Sequence, residues 1–167
     1  NKYHAVNREQ NLRAWFDADG VEIVSRNEST PAWKWSWRVK RMGRESNLLN
    51  LNQSAIKTDK NRIEIARPNL CEIYENIPEC IMQSLIITSP PTGSGSIIIE
   101  SDFGENLSPQ LISNKSIVFK RDNKTLLDYC IINAEDASGK KLASNIKISE
   151  NSIKLIIEDT KAEYPLK

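Results

Sequence analysis

The sequence lacks an excess of charge of either sign. Its 167 residues include 23 lysines and arginines against 22 aspartates and glutamates. A dedicated nucleic-acid-binding domain usually has a strong basic excess, so this balance argues against a nucleic-acid partner. No apolar run approaches the roughly 20 residues that a transmembrane helix needs, and we therefore predict no membrane span.

Residues that commonly carry catalysis or bind metals are also scarce. His4 is the only histidine, and nothing near it in the sequence resembles a catalytic triad. The stretch 17–20 (Asp-Ala-Asp-Gly) begins like a calcium-binding loop, but Val21 and Glu22 then stand where such a loop needs an oxygen ligand and a glycine. We predict that the chain is not an enzyme and that it has no cofactor and no metal site.

The chain has only three cysteines, Cys71, Cys80 and Cys130, and none lies in the CxxC spacing of zinc or haem attachment sites. In an oxidising compartment one internal bridge at most can form, which leaves one thiol unpaired. Cys71 and Cys80 are the candidate disulfide that would close a small hairpin loop, while Cys130 could instead pair with either. The other interpretation is that all three are small buried apolar residues.

Sustained helical periodicity is missing as well. Apolar and polar residues alternate over short segments, and turn sequences separate these segments about every 8–12 residues. Asp19-Gly20 lies between two such segments and predicts a β-hairpin. The one candidate for a short helix, Asn47–Lys60, is polar enough to be a loop. The pattern predicts an all-β protein with the fold of an antiparallel β-sandwich.

The proline- and glycine-rich stretch Pro90–Gly95 has the composition of a loop and is the best candidate boundary. It divides the chain into an N-terminal β half, residues 1–89, which contains the tryptophan strand, and a C-terminal β half, residues 90–167. The two halves meet near Pro90-Pro91. Either each half is a separate unit, or both contribute to one continuous sandwich domain.

Three of the four tryptophans occur at alternate positions in the stretch 33–39 (WKWSWRV). In an extended strand Trp33, Trp35 and Trp37 share one face. Alternation with polar residues favours a core strand, because three exposed indoles would be a large apolar patch. The alternative is a carbohydrate-binding module in which these three rings, or Trp15, form a stacking platform for sugars.

Basic residues continue the same strand at Arg38, Lys40, Arg41 and Arg44. We interpret them as a solvated face and not as a nucleic-acid patch. Because Lys40 and Arg41 are adjacent, they should face opposite sides unless the strand ends there.

Five segments of the chain follow one another in a familiar order. After the tryptophan strand 33–39 come Arg62–Asn76 (RIEIARPNLCEIYEN) and the apolar stretch Ile81–Ile87. The stretches Leu127–Ala143 (LDYCIINAEDASGKKLA) and Asp159–Leu166 (DTKAEYPL) complete the set. Together they resemble the N-terminal β-rich domain of large bacterial exported proteins that carry FG-GAP (integrin-type) or related β-propeller repeats.

The chain departs from that family's pattern at Ile73, where the family has tryptophan, and at Ile77–Cys80, which replaces a glycine-rich turn. The family's linker would follow Lys167, so we expect the repeat region to be absent, cut away or on a separate chain. The resemblance implies a non-catalytic, extracytoplasmic (periplasmic, cell-surface or secreted) structural and assembly module. Its partners would be other protein domains or subunits, such as a repeat or propeller region. We predict contact sites in the polar loops Asn47–Lys60 and Ser89–Ser96.

Overall fold

The structure is a computed structural model, and it describes residues 2–27, 30–52, 54–104 and 106–167. These residues form three antiparallel β-sheets, and no helix occurs among them. The prediction of an all-β protein is confirmed.

The largest sheet forms one layer of the molecule and has eight strands. Its strands are β1 (Tyr3–Asn7), β2 (Leu12–Asp17), β3 (Gly20–Ser25), β4 (Lys34–Arg44), β5 (Asn47–Asn50), β10 (Ile97–Phe103), β14 (Ser144–Ile148) and β15 (Ser152–Ile157). They lie in the order β1-β2-β3-β4-β10-β15-β14, and β5 pairs with the end of β4.

Two smaller sheets form the opposite layer. One contains β6 (Ala55–Asp59), β7 (Arg62–Arg67), β8 (Leu70–Ile77) and β9 (Cys80–Ile87), and the other contains β11 (Ser108–Ser113), β12 (Ser116–Arg121) and β13 (Lys124–Cys130). Aromatic rings connect each small sheet to the large one, as the pair Phe16–Tyr74 does for the four-stranded sheet. The arrangement is consistent with a β-sandwich whose second layer is divided.

The tryptophan strand lies in the core, as its alternation predicted. Trp33, Trp35 and Trp37 are 8%, 5% and 1% exposed. The ring of Trp35 meets the edge of Phe119 at a centroid distance of 5.2 Å, and Trp37 stacks on Tyr129 at 4.6 Å. These contacts join β4 to both strands of the β12–β13 hairpin, so they hold the large sheet against the three-stranded sheet.

The two halves of the chain contribute to one sheet. Strand β10, from the C-terminal half, lies between β4 and β15, with Ile99 opposite Met42 and Phe103 opposite Trp37. The loop near Pro90-Pro91 is held against the β4–β5 hairpin, where the guanidinium of Arg44 donates to the carbonyl oxygens of Pro91 and Gly95. The boundary at this loop therefore does not separate two sheets.

The segment Asn47–Lys60 is neither helix nor loop along most of its length. It contains β5 and β6, which pair with β4 and β7. Both strands are largely exposed, which explains the polar composition that suggested a loop. Pairing with neighbouring strands determines the conformation here, and the local sequence does not reveal that pairing.

A β-bulge changes the faces of two basic residues. The register between β4 and β10 shifts at Glu100–Ser101, which brings Arg41 opposite Glu100 and Val39 opposite Ser101. Lys40 is thus the additional residue of β4 that has no partner of its own in the register. Its ammonium group reaches the carboxylate of Asp102, on the same outer face of the sheet where Arg41 pairs with Glu100. The expectation that Lys40 and Arg41 face opposite sides was wrong, because a bulge places two successive residues opposite one partner.

The C-terminal segment is anchored to the large sheet by a charged pair. The guanidinium of Arg44 donates two hydrogen bonds, of 2.5 and 2.7 Å, to the carboxylate of Asp159, and the hydroxyl of Tyr164 donates to the same carboxylate at 2.6 Å. The hydrogen bonds from Arg44 lower the pKa of Asp159 despite its partial burial. This cluster positions the last residues of the chain beside the four-stranded sheet.

The burial of Trp37 gives a prediction about stability. Trp37→Ala should lower the free energy of unfolding by about 3–5 kcal/mol, since it removes a large ring from a packed core. Trp15 lies half-buried on the other face of the same sheet, stacked on His4, and Trp15→Ala should cost about 0.5–1.5 kcal/mol. Urea denaturation of both variants measures the difference, and equal losses would contradict the assignment of the two faces.

Candidate functional site

A cleft opens where the second layer of the sandwich is divided. Strand β9 is an edge of the four-stranded sheet and β13 is an edge of the three-stranded sheet, and the two strands do not pair with each other. Residues of both strands line a cleft of about 460 Å³. This volume lies within the range of about 300–1,000 Å³ that ligand pockets usually have. We call it the interlayer cleft.

The floor of the interlayer cleft is apolar and its walls are mixed. The large sheet supplies the floor, with Leu12, Val21, Ile23, Trp35 and Trp37. The walls come from the β8–β9 hairpin, with Glu79, Cys80, Ile81 and Gln83, and from the stretch 125–130 of β13. An apolar floor with a few polar groups at the walls is typical of binding sites.

Two tryptophans of the floor carry unsatisfied hydrogen-bond donors. The indole nitrogens of Trp35 and Trp37 are buried and have no acceptor among the described protein atoms. Buried polar groups of native proteins are paired in most cases, and leaving one unpaired costs about 1–3 kcal/mol. The core beside the cleft therefore contains buried hydrogen-bond donors without acceptors, which an ordinary structural core rarely does.

A buried polar network borders the cleft on the side of β9. Glu72 is 0% exposed, and its carboxylate accepts hydrogen bonds from Arg67 Nε at 2.6 Å and from the hydroxyl of Tyr74 at 2.8 Å. The amide of Gln83 donates to the hydroxyl of Tyr74 at 2.8 Å, and the hydroxyl of Tyr129 donates to Gln83 Oε1 at 3.1 Å. The network thus joins the two sheets of the divided layer across the cleft.

Burial controls the ionisation of this network. It raises the pKa of Glu72, and the charge and hydrogen bonds of Arg67 oppose that rise. Burial also raises the pKa of Tyr74 and of Tyr129 well above the ordinary value of a phenol. Both phenols therefore stay protonated near neutral pH, so they act here as hydrogen-bonding groups and not as bases.

The cysteines are free thiols in the structure. Cys71 lies opposite Ile86 and Cys80 lies opposite Ile77, at the two ends of the β8–β9 hairpin. Six residue steps along a strand span about 20 Å, whereas the Cα atoms of a disulfide lie within about 7 Å. The predicted Cys71–Cys80 bridge is therefore wrong for this fold. Cys80 and Cys130 are the two thiols that line the same cleft.

The tryptophan row does not form an open platform. All three rings of Trp33, Trp35 and Trp37 are buried, and only Trp35 and Trp37 reach the cleft, as part of its floor. Trp15 is half-buried and covered on one side by His4. The carbohydrate-binding alternative needs exposed faces on which a sugar stacks. The buried rings of Trp33, Trp35 and Trp37 do not present such faces, and for Trp15 the alternative stays a prediction.

A second recess lies between β1 and the four-stranded sheet. Its volume is about 400 Å³, and its lining includes His4, Lys60 and Asn76. His4 lies on an exposed edge strand with its ring stacked on Trp15. No hydrogen bond in the described part of the chain connects His4 to a nucleophile or a carboxylate. The recess therefore has no hydrogen-bonded network around its histidine like the network that borders the interlayer cleft.

Metal-ligating side chains are dispersed over the described part of the molecule. No group of three or more histidine, cysteine, aspartate or glutamate side chains there is arranged to hold a metal ion. The described chain also contains no helix of the length and apolarity needed to cross a membrane.

Comparison with known proteins found no matching family model, no matching curated protein and no matching solved structure. The resemblance to domains of bacterial exported proteins therefore stays a prediction.

Sequence reasoning missed most residues of the cleft. Gln83 carried the clearest signal, because it shares the inward face of β9 with Ile81, Leu85 and Ile87. A polar residue on an apolar face predicts a buried hydrogen-bonding partner. The partner, Tyr129, is remote in sequence and could not be identified without the fold.

The buried pair of Arg67 and Glu72 gives a pH-dependent prediction. Arg67→Leu should lower the free energy of unfolding by about 3–5 kcal/mol near pH 7, because it leaves a buried carboxylate without its cation. The pKa of Glu72 in the folded state lies above its unfolded value and should rise further without Arg67. The stabilisation from protonated Glu72 is complete below about pH 4 and is lost as the pH rises, so the deficit of the variant should shrink in acid.

Arg62→Leu is the matched control on the same sheet. Arg62 pairs with Glu64 at the surface, so its loss should change the free energy of unfolding far less than the loss of Arg67, with little pH dependence. Chemical denaturation of both variants near pH 4 and near pH 7 makes the comparison. A deficit for Arg67→Leu that is independent of pH would contradict the role assigned to Glu72.

Proposed function

We propose that the chain is a non-catalytic structural and assembly module that binds other protein domains or subunits at the interlayer cleft. The observation that carries this proposal is the divided second layer, in which the edges of β9 and β13 flank an apolar cleft and stay unpaired with each other. Unpaired strand edges are a recurrent means of binding another polypeptide.

The character of the cleft supports binding over catalysis. Its described polar groups are two phenols, two amides, a hydroxyl, rim carboxylates and the thiols of Cys80 and Cys130. Burial holds the phenols protonated and raises the pKa of the Cys80 thiol. Catalysis by a general base needs a group whose pKa lies near the working pH and within reach of a substrate. The geometry favours a surface that recognises shape and backbone.

The resemblance to domains of bacterial exported proteins supports an extracytoplasmic location, and this part of the proposal rests on the resemblance alone. The loop Ser89–Ser96, one of the predicted contact sites, is attached to the β4–β5 hairpin through Asn47, which donates to Thr92 Oγ1 at 3.0 Å. The strands of Asn47–Lys60 lie at sheet edges. Both segments are secondary candidates for contact beside the interlayer cleft.

Native mass spectrometry of the protein purified from its own source, without tags, tests the proposal. We expect the chain within a larger stoichiometric particle or as part of a longer polypeptide. Asp128→Trp, which places a large ring at the mouth of the cleft, should release the partner or lower its occupancy about tenfold. Glu150→Trp is the control, because Glu150 lies exposed in the turn between β14 and β15, outside the cleft.

Two results would overturn the proposal. A free monomer of 19.0 kDa from the native source would remove the assembly role. A particle that survives Asp128→Trp as well as Glu150→Trp would place the contact elsewhere on the molecule.

A further inference from the structure

We propose that the interlayer cleft accepts an extended peptide of a partner protein as an added β-strand on the free edge of β9, with a lysine or arginine side chain near Glu79 and Asp128. This inference rests on the proposed function and specifies its ligand. It follows from the strand pairing already present at one end of the edge, from the direction of the backbone groups of β9, and from the charges that line the cleft.

The free edge of β9 already pairs with a short extended segment at one end. The backbone N–H of Ile87 donates to the carbonyl of Leu166 at 3.0 Å, and the N–H of Leu166 donates back at 2.9 Å. Lys167 exchanges two further bonds, both of 2.8 Å, with Glu135, which follows β13 in the chain. Residues 166–167 therefore lie between the edge of β9 and the polypeptide that leaves β13, in the place of an inserted strand.

The rest of the β9 edge presents the same backbone groups. In an antiparallel sheet, alternate residues direct both N–H and C=O to the same neighbour. Because Ile87 bonds Leu166, the backbone groups of Leu85, Gln83 and Ile81 point to that same side. Apart from the bridge at Ile87, no strand of the described residues pairs with β9 there. The edge is thus continuous with an existing pairing and runs into the cleft, where Ile81 and Gln83 form part of the wall.

The floor of the cleft specifies the side chains of the inserted strand. Alternate residues of such a strand would face Val21, Ile23, Trp35 and Trp37 once the hydrogen bond between Gln83 and Tyr129 that crosses the cleft is broken. These four are apolar and buried, so they favour valine, isoleucine or similar residues at every second position. The intervening side chains would face solvent.

The charges of the cleft favour a cation. Glu79 and Asp128 are the ionisable acidic residues in its lining, and no lysine or arginine lines it among the described residues. Both carboxylates are at exposed positions, so each contributes modestly and mainly directs the orientation of the peptide. An antiparallel peptide that continues from Leu166 would bring its C-terminal end toward Cys80 and Glu79.

The first test uses a synthetic probe. The free edge from Leu85 to Cys80 is about 17 Å long, which an extended peptide of six residues spans. We choose the acetylated and amidated sequence Val-Thr-Val-Thr-Val-Lys. Hydrogen exchange should slow about tenfold or more at the amides of Ile81, Gln83 and Leu85 when the peptide binds. The same peptide with alternate backbone nitrogens methylated should give no protection, because strand addition depends on main-chain hydrogen bonds.

A tethered form of the probe keeps the test decisive when the free peptide binds weakly. Joining the same six residues directly after Lys167 makes strand addition intramolecular, with an effective concentration in the millimolar range. An extension of equal length made of glycine and serine is the control. Protection of the three β9 amides by the first extension alone supports the inference. Equal exchange in both extended chains and in the parent chain overturns it.

The preference of the cleft for a cationic side chain is tested with charge-reversal variants. Glu79→Lys and Asp128→Lys should each weaken binding of the lysine peptide several-fold at low salt, and the effect should diminish at high salt. Glu150→Lys, in the exposed β14–β15 turn outside the cleft, should leave binding unchanged. Equal affinity for the lysine peptide and for a glutamate version would overturn the cation preference.

These outcomes are distinguishable from failure of the proposed function. A native particle that is lost with Asp128→Trp, together with no protection of the β9 edge, would retain the assembly role and reject strand addition. A dimer of the chain that protects the same amides without any peptide would assign the edge to a second copy and overturn the partner peptide. A protein that is monomeric in its source and fails to bind the probe would reject both.

Discussion

The packing of the tryptophan strand against the β12–β13 hairpin is the contact on which the rest of the structure depends. Strand β4 is the longest of the described strands, with 11 residues, and it pairs with β3, β5 and β10. Its rings meet Phe119 and Tyr129 across the interior. Each tryptophan buries on the order of 200 Å², so this strand joins both halves of the sequence and both layers of the sandwich.

The same packing leaves the cleft open. The three-stranded sheet is positioned by Trp35 and Trp37, whereas the four-stranded sheet is positioned by Phe16 against Tyr74 and by Asn7, which donates to the carbonyl of Ile77 at 2.7 Å. The two anchors are separate, and no strand pairing among the described residues closes the space between the sheets. Of the described side-chain hydrogen bonds, only the one between Gln83 and Tyr129 crosses it. The cleft is thus a consequence of how the second layer is attached.

Local pattern in the sequence was enough to predict several features of the fold. Alternation located most strands and the buried face of the tryptophan row, and the Asp17–Gly20 turn forms a hairpin with Asp17 opposite Gly20. Glycine is needed there, because a Cβ at Gly20 would lie 2.2 Å from the carbonyl oxygen of Trp37. The bulge beside Lys40 and the strands within 47–60 were not predicted, because both arise from pairing with distant segments. The spacing of the cysteines led to a wrong disulfide prediction for a related reason. The two-residue loop of the β8–β9 hairpin places Cys71 and Cys80 at opposite ends of that hairpin.

The composition of the strand edges bears on why β9 stays open. Proteins commonly protect free edges with charged residues or proline, and the edge strand β6 follows this rule with Lys57 and Asp59. Strand β9, with the sequence CIMQSLII, contains no charge and no proline, and its residues are only partly buried until Ile87. An unprotected edge of this kind invites pairing by any strand that reaches it. Its position between two sheets, above an apolar floor, is the physical basis for the strand addition that we propose at this cleft.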